Sequence, residues 1–159
     1  MMLVCPRSSA GGFIYLTDSL FVMRKLYIVG KANSPETREQ FAEPEAEVWM
    51  LGTDNREGAD KYFELHGISV EHENTVYELP DAVYNQGLPI NNSISALLVY
   101  AVLSGYTNIA IVGAPMNARD EYIQERPALA FLVGYFAAKG IKLSWDGMVE
   151  NLNYGKKRQ

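Results

Sequence analysis

The chain has 159 residues, 48% of them apolar and 21% charged, which suits one globular domain with a substantial core and excludes a disordered or fibrous chain. A net charge of -5 argues against nucleic-acid backbone binding as the main activity, because phosphate contacts need a basic surface. With one cysteine, Cys5, the chain can form no internal disulfide, and it carries no cysteine-based metal motif.

Residues 1–22 join a Pro-Arg-Ser-Ser-Ala-Gly-Gly cluster to an apolar run broken by Thr17 and Asp18, so they read as a leader or upstream extension. A secretory signal fits them poorly, and no run is long enough to span a membrane. The working domain is expected over 23–153, followed by a basic tail at 154–159.

KLYIVG at 25–30 is expected to be the first strand. SPETREQFAE then has Ser34 as N-cap, Pro35 at the first helical position and Glu36 in the opening turn, the pattern of a helix start. EVWMLG at 47–52 is expected to be a second strand, and GADKYFELHG at 58–67 a second helix. ISVEHE and TVYELP supply one or two short extended segments. Residues 80–85 form one helical turn before the break at Gly87–Pro89. Ser93 to Gly105 is predicted helical, Asn108 to Gly113 a strand, Glu121 to Lys139 a helix, and Ile141 to Trp145 a last strand.

Apolar strands alternating with helices predict an α/β domain, a Rossmann-like three-layer sandwich with a mainly parallel sheet of about five strands. The expected strand order is 3-2-1-4-5. The order reverses between the strands at 25–30 and 109–113, so a ligand crevice should open above their C-terminal ends.

The candidate site residues follow from that edge. Gly30-Lys31-Ala32-Asn33-Ser34 leaves a strand and opens a helix, so Lys31, Asn33 and Ser34 could hold a phosphate. It is neither GxGxxG nor GxxxxGK[ST]. Asp54 and Asn55 follow the second strand, where a ribose or base is commonly met, although Asp-Asn is also plain turn chemistry. Asn91-Asn92-Ser93-Ile94-Ser95 places more polar side chains at a helix start than a cap requires, which makes Asn92, Ser93 and Ser95 ligand candidates. Past the fourth strand, Glu121 is the candidate acid/base, Tyr122 a stacking ring and Arg126 a bidentate anion clamp.

His66 and His72 are too few and wrongly spaced for a metal site, and no metal or cofactor is expected. Ala128, Phe131, Leu132, Tyr135 and Phe136 recur at helical spacing and are expected in the core. Trp49, Tyr100, Tyr106 and Trp145 are assigned to packing.

The succession KLYIVGKANSP, EVWMLGTDN, DKYFELHG, NNSISALLVYAVLSGYTNIAIVGAPM, DEYIQERPALAFLVGYFAAKGIKL and NLNYG resembles bacteriophage-encoded Rossmann-like proteins of unassigned activity. The resemblance spans residues 25–155. More remotely the chain is similar to 6-hydroxymethylpterin diphosphokinase-like and sialyltransferase-like domains, through Ser93, Ser95, Gly105, Tyr106 and Gly113. Pro115 stands where those relatives carry an acidic residue, and the first loop lacks their Gly-x-Gly-Pro-Ser form, so neither activity carries over. The resemblance implies a location in the cytoplasm of an infected bacterial host. The functional expectation is capture of a nucleotide or nucleotide-derived small molecule in the crevice. The alternative is a transferase or hydrolase acting on a nucleotide or nucleotide sugar, including a deoxyribosyltransferase-like enzyme. Neither nucleic acid nor membrane is expected as a partner, and a homo-oligomer is compatible with both readings.

Overall fold

The computed structural model describes residues 24–31, 43, 45–51, 58–65, 76–118 and 120–148. The strands β1 (Lys25–Val29), β2 (Glu47–Leu51), β3 (Lys61–Glu64) and β4 (Val76–Glu78) are followed by a 3₁₀ segment at Asp81–Gln86 and by α1 (Ser93–Leu103). β5 (Asn108–Val112), a π-helical turn at Glu121–Glu125, α2 (Arg126–Ala138) and β6 (Lys142–Trp145) complete the order. The sheet is open and runs β4-β3-β2-β1-β5-β6, with every pairing among the described residues parallel.

The architecture is therefore the expected α/β, Rossmann-like one, with six strands in place of five. The additional strand is β3, which lies in a segment expected to be helical. Lys, Glu and Leu give DKYFEL a helical look, yet Tyr62 and Phe63 are adjacent and both 1% exposed. Period-two alternation sends Tyr62 into one apolar cluster and Phe63 into the other. Burial on both faces marks an interior parallel strand. The order 3-2-1-4-5 accordingly becomes 4-3-2-1-5-6, and the reversal between β1 and β5 stays where it was expected.

β1 is the axis of the sheet. Leu26 and Ile28 face the cluster that contains Trp49, Phe63, Ile109, Ile111, α1 and α2, while Tyr27 and Val29 face the one formed with Val48, Met50, Tyr62 and Ala110. α1 is buried nearly all round, from Ile94 to Val99 and at Ala101, because it lies between the sheet, α2 and the 3₁₀ segment. Each fully buried Leu or Ile in this layer contributes about 1.5–3 kcal/mol of transfer free energy. Of the helix expected at 34–43, residues 34–42 lie outside the described residues and Glu43 is described but not helical; the leader at 1–22, the basic tail at 154–159, His66 and His72 also lie outside them.

Local signals set the ends of α1. Asn92 is extended, with its side-chain oxygen accepting from the Ser95 N–H at 2.8 Å, and Gly105 leaves the helix with φ 91°. In α2, Ala128, Leu132 and Phe136 are buried as expected. Phe131 and Tyr135 are not in the core: they are 54% and 37% exposed, on the side of the helix turned away from the sheet. Helical spacing groups residues on neighbouring faces without showing which face is inside. Trp49 and Trp145 pack in the core as expected.

Candidate functional site

At the C-terminal edge of the sheet, the loops leaving β1 and β5 touch. The Gly30 N–H donates to the Val112 carbonyl at 2.8 Å, extending the ladder by one residue. A Cβ at Gly30 would stand 2.4 Å from the Gly113 carbonyl oxygen and 2.8 Å from Ala114 Cβ, so only glycine allows this approach.

Beyond Gly113 the chain turns through Ala114 and Pro115 to Met116, which has φ 52° and is the one non-glycine residue with positive φ among those described. A side chain in this region costs on the order of 1–3 kcal/mol and persists only where its surroundings hold it. Four buried or half-buried contacts do so. Asp146 Oδ2 accepts from the Gly113 N–H at 2.6 Å, and Trp145 Nε1 donates to the Ala114 carbonyl at 2.7 Å. Arg126 donates through Nη1 to the Pro115 carbonyl at 2.8 Å, and through Nη2 to the Gly147 carbonyl. Its guanidinium also lies 5.3 Å from the centre of the Trp145 ring.

The third wall is the start of α1. Asn91 Nδ2 donates to the Gln124 carbonyl at 2.6 Å, tying this helix start to the π-helical turn that leads into α2. Asn92 Nδ2 donates to Asn91 Oδ1 at 3.0 Å. Between the three walls opens a cavity of about 300 Å³, lined by Gly30 and Lys31, by 91–94, by 113–116, and by Leu51 and Glu125. The α1 macrodipole and Lys31 make its rim favourable to an anion, while Leu51, Ile94 and Met116 supply apolar surface.

The structure thus brings Lys31, Asn92 and Ser93 together around one cavity. It does not bring Arg126 or Ser95 into that lining. Arg126 is 8% exposed, and its fork is directed at backbone carbonyls, so it braces the cavity wall where an anion clamp was expected. Ser95 is fully buried; its N–H is taken by Asn92, and its hydroxyl finds no hydrogen-bond partner among the described residues. Asn33, Ser34, Asp54 and Asn55 lie outside the described residues, as do the side chains of Glu121 and Tyr122. Sequence reading missed Asp146, Glu125 and Met116. Asp146 carried a usable signal, since Trp145-Asp146-Gly147 ends a strand at the same sheet edge as the other loops.

A second concentration of polar groups lies at the opposite, N-terminal edge. Glu47 accepts from Trp49 Nε1 at 2.7 Å and from the Tyr106 hydroxyl, and it pairs with Lys61 Nζ at 3.0 Å. Burial pushes the Glu47 carboxyl up, but the three donors outweigh it and hold the group below the ordinary carboxylate range. Burial, reinforced by the Glu47 carboxylate, drives the Tyr106 hydroxyl well above the usual phenol value. Beside it, a hydrogen bond to Glu43 at 2.8 Å raises the Lys25 amine.

Among the described residues, no group of three or more His, Cys, Asp or Glu side chains could hold a metal ion, and no helix is long and apolar enough to cross a membrane. Comparison with family models, curated proteins and solved structures finds no match to this chain.

Proposed function

We propose that this chain is a small-molecule binding protein whose ligand is a nucleotide or a nucleotide-derived metabolite, seated in the cavity between β1 and β5. The observation that carries the reading is the convergence of three walls on one cavity at the point where strand order reverses. A phosphate is favoured beside Lys31 and the start of α1, where the helix dipole and the ammonium act together. A flat base is favoured against Leu51, Ile94 and Met116, with Asn91 and Glu125 also in the lining of the cavity. At about 300 Å³ the space lies at the small end of ligand pockets, which suits a mononucleotide better than a dinucleotide. The resemblance to phage-encoded Rossmann-like proteins accords with a small capture protein acting in an infected host.

The test is native mass spectrometry of the purified chain, followed by denaturation and identification of any released molecule, with calorimetric titration of nucleoside monophosphates in parallel. A retained nucleotide, or saturable one-to-one binding weakened by Lys31→Ala, supports the reading. No binding at millimolar nucleotide overturns it. Recovery of a cleaved or transferred product would favour the enzymatic alternative, with Glu125 as the carboxylate facing the cavity.

A further inference from the structure

Many of the polar groups in the walls of the cavity between β1 and β5 are engaged in holding those walls together. The Asn91 amide donates to the Gln124 carbonyl at 2.6 Å and accepts from Asn92, whose own oxygen accepts from the Ser95 N–H at 2.8 Å, so both ends of both amides are used. On the backbone, the Gly30 N–H donates to the Val112 carbonyl and the Gly113 N–H to Asp146. The Ala114 and Pro115 carbonyls accept from Trp145 and Arg126, and Pro115 has no N–H to offer. A ligand must therefore be read chiefly by other side chains of the lining.

Two charged side chains occur among the described residues of that lining, Lys31 and Glu125, and they stand on different walls. Lys31 follows Gly30 on the loop leaving β1, whereas Glu125 closes the π-helical turn that Asn91 ties to the start of α1. With a phosphate beside Lys31 and the start of α1, like-charge repulsion keeps it away from Glu125, and the base falls to the Glu125 wall. Glu125 is half-buried, so a charge-assisted hydrogen bond there is screened less than one on open surface.

An ionised carboxylate only accepts hydrogen bonds, and its two oxygens offer about four lone-pair positions, so a contact within the protein does not exhaust it. Its complement is a base edge with two adjacent donors. Guanine has that edge in N1–H and the 2-amino group. Adenine and cytosine set an acceptor beside their amino donor, and uracil and thymine flank a single N–H with two carbonyl oxygens that a carboxylate repels. Resting on the nucleotide reading above, we infer that the ligand is a guanine nucleotide whose N1–H and 2-amino group donate to the Glu125 carboxylate. Glu125 is thus a specificity-determining residue, and the amides of Asn91 and Asn92 act through the wall they hold in place.

The experiment is calorimetric titration of the full chain with GMP, IMP, AMP, CMP and UMP, repeated on Glu125→Gln after a circular dichroism melt has established its fold. GMP is expected to bind about 10- to 100-fold more tightly than AMP, CMP or UMP. IMP keeps N1–H and lacks the 2-amino group, so it should bind about 10-fold more weakly than GMP. Glu125→Gln should weaken GMP about 10- to 100-fold and narrow or invert its lead over AMP, because a terminal amide pairs one acceptor with one donor, the pattern of the adenine edge. The wild-type series decides the matter even if the variant fails to fold. AMP, CMP or UMP binding as tightly as GMP, or a folded Glu125→Gln with undiminished GMP affinity, overturns the inference while the nucleotide reading stands. Failure of all five nucleotides to bind overturns both.

Discussion

The two ends of the sheet spend their polar groups differently. At the N-terminal edge, Glu47 collects Trp49, Tyr106 and Lys61 around one carboxylate, and the donors and acceptor satisfy one another. At the C-terminal edge, Asp146, Trp145 and Arg126 are directed at backbone groups of residues 113–116 and 147, and the loops they fix stand around a cavity. The first arrangement holds strands together; the second holds a surface open. A perturbed carboxylate alone would point to the N-terminal edge, yet the shift at Glu47 is accounted for by the donors of Trp49, Tyr106 and Lys61.

The largest effect that tests this contrast is expected from Arg126→Ala. It strips donors from the carbonyls of Pro115 and Gly147 in a buried site, and at about 1–3 kcal/mol for each unsatisfied group the loss should reach roughly 3–5 kcal/mol in urea denaturation. A loss below about 1 kcal/mol would show that the wall does not depend on this brace. Next comes Gly30→Ala, whose Cβ must push the two central loops apart. Overpacking of this kind costs about 1–3 kcal/mol and should also abolish nucleotide binding, measured by calorimetry on the folded variant.

Glu47→Gln probes the other end and should cost about 1–2 kcal/mol without changing ligand affinity. Its pH signature is distinct. Because the folded Glu47 carboxyl titrates below its ordinary value of 4.5, its contribution is present above that value and is lost as pH falls through the lowered folded value. The wild type should therefore lose stability on acidification more steeply than Glu47→Gln, and parallel curves would remove Glu47 from the account. Tyr106→Phe tests the partner group. The folded hydroxyl titrates above its ordinary 10.0, so its stabilisation is complete below pH 10 and fades as pH rises toward the folded value, a loss the phenylalanine variant should not show. The smallest expected effect is that of Lys31→Ala. Stability should move by less than about 0.5 kcal/mol, since the residue is exposed, while affinity for a phosphorylated ligand falls about 5- to 10-fold.

Much of this frame is legible in the sequence. β1 and β5 announce themselves as short apolar runs that end in glycine, and the surplus of polar residues at 91–95 marks the start of α1. β3 is not legible, because Lys61 to Leu65 combines helix-forming residues with an apolar doublet that suits either periodicity. What decides it is burial on both faces, a tertiary property. Arg126 misleads for a related reason: a guanidinium fork recognises carbonyls and anions with the same geometry, so its residue type names a donor without naming the acceptor. Phe131 and Tyr135 share helical spacing with true core positions, and only the fold separates inner from outer stripe. Asn92 and Ser93 were legible because helix starts and strand ends converge on one edge of a parallel sheet.

The pairing of β1 with both β2 and β5 also bears on how the chain is made. Leu26 meets Glu47 on one side but Ile109 on the other, so the central strand gains its second neighbour only after most of the chain has left the ribosome. Until then β1 is an edge, with a row of unpaired N–H and C=O groups and apolar side chains on both faces. Such an edge is the part of a nascent chain most prone to pair with the wrong strand. Synthesis rate and temperature should therefore influence the yield of folded protein more strongly than the stability of the finished sheet would suggest.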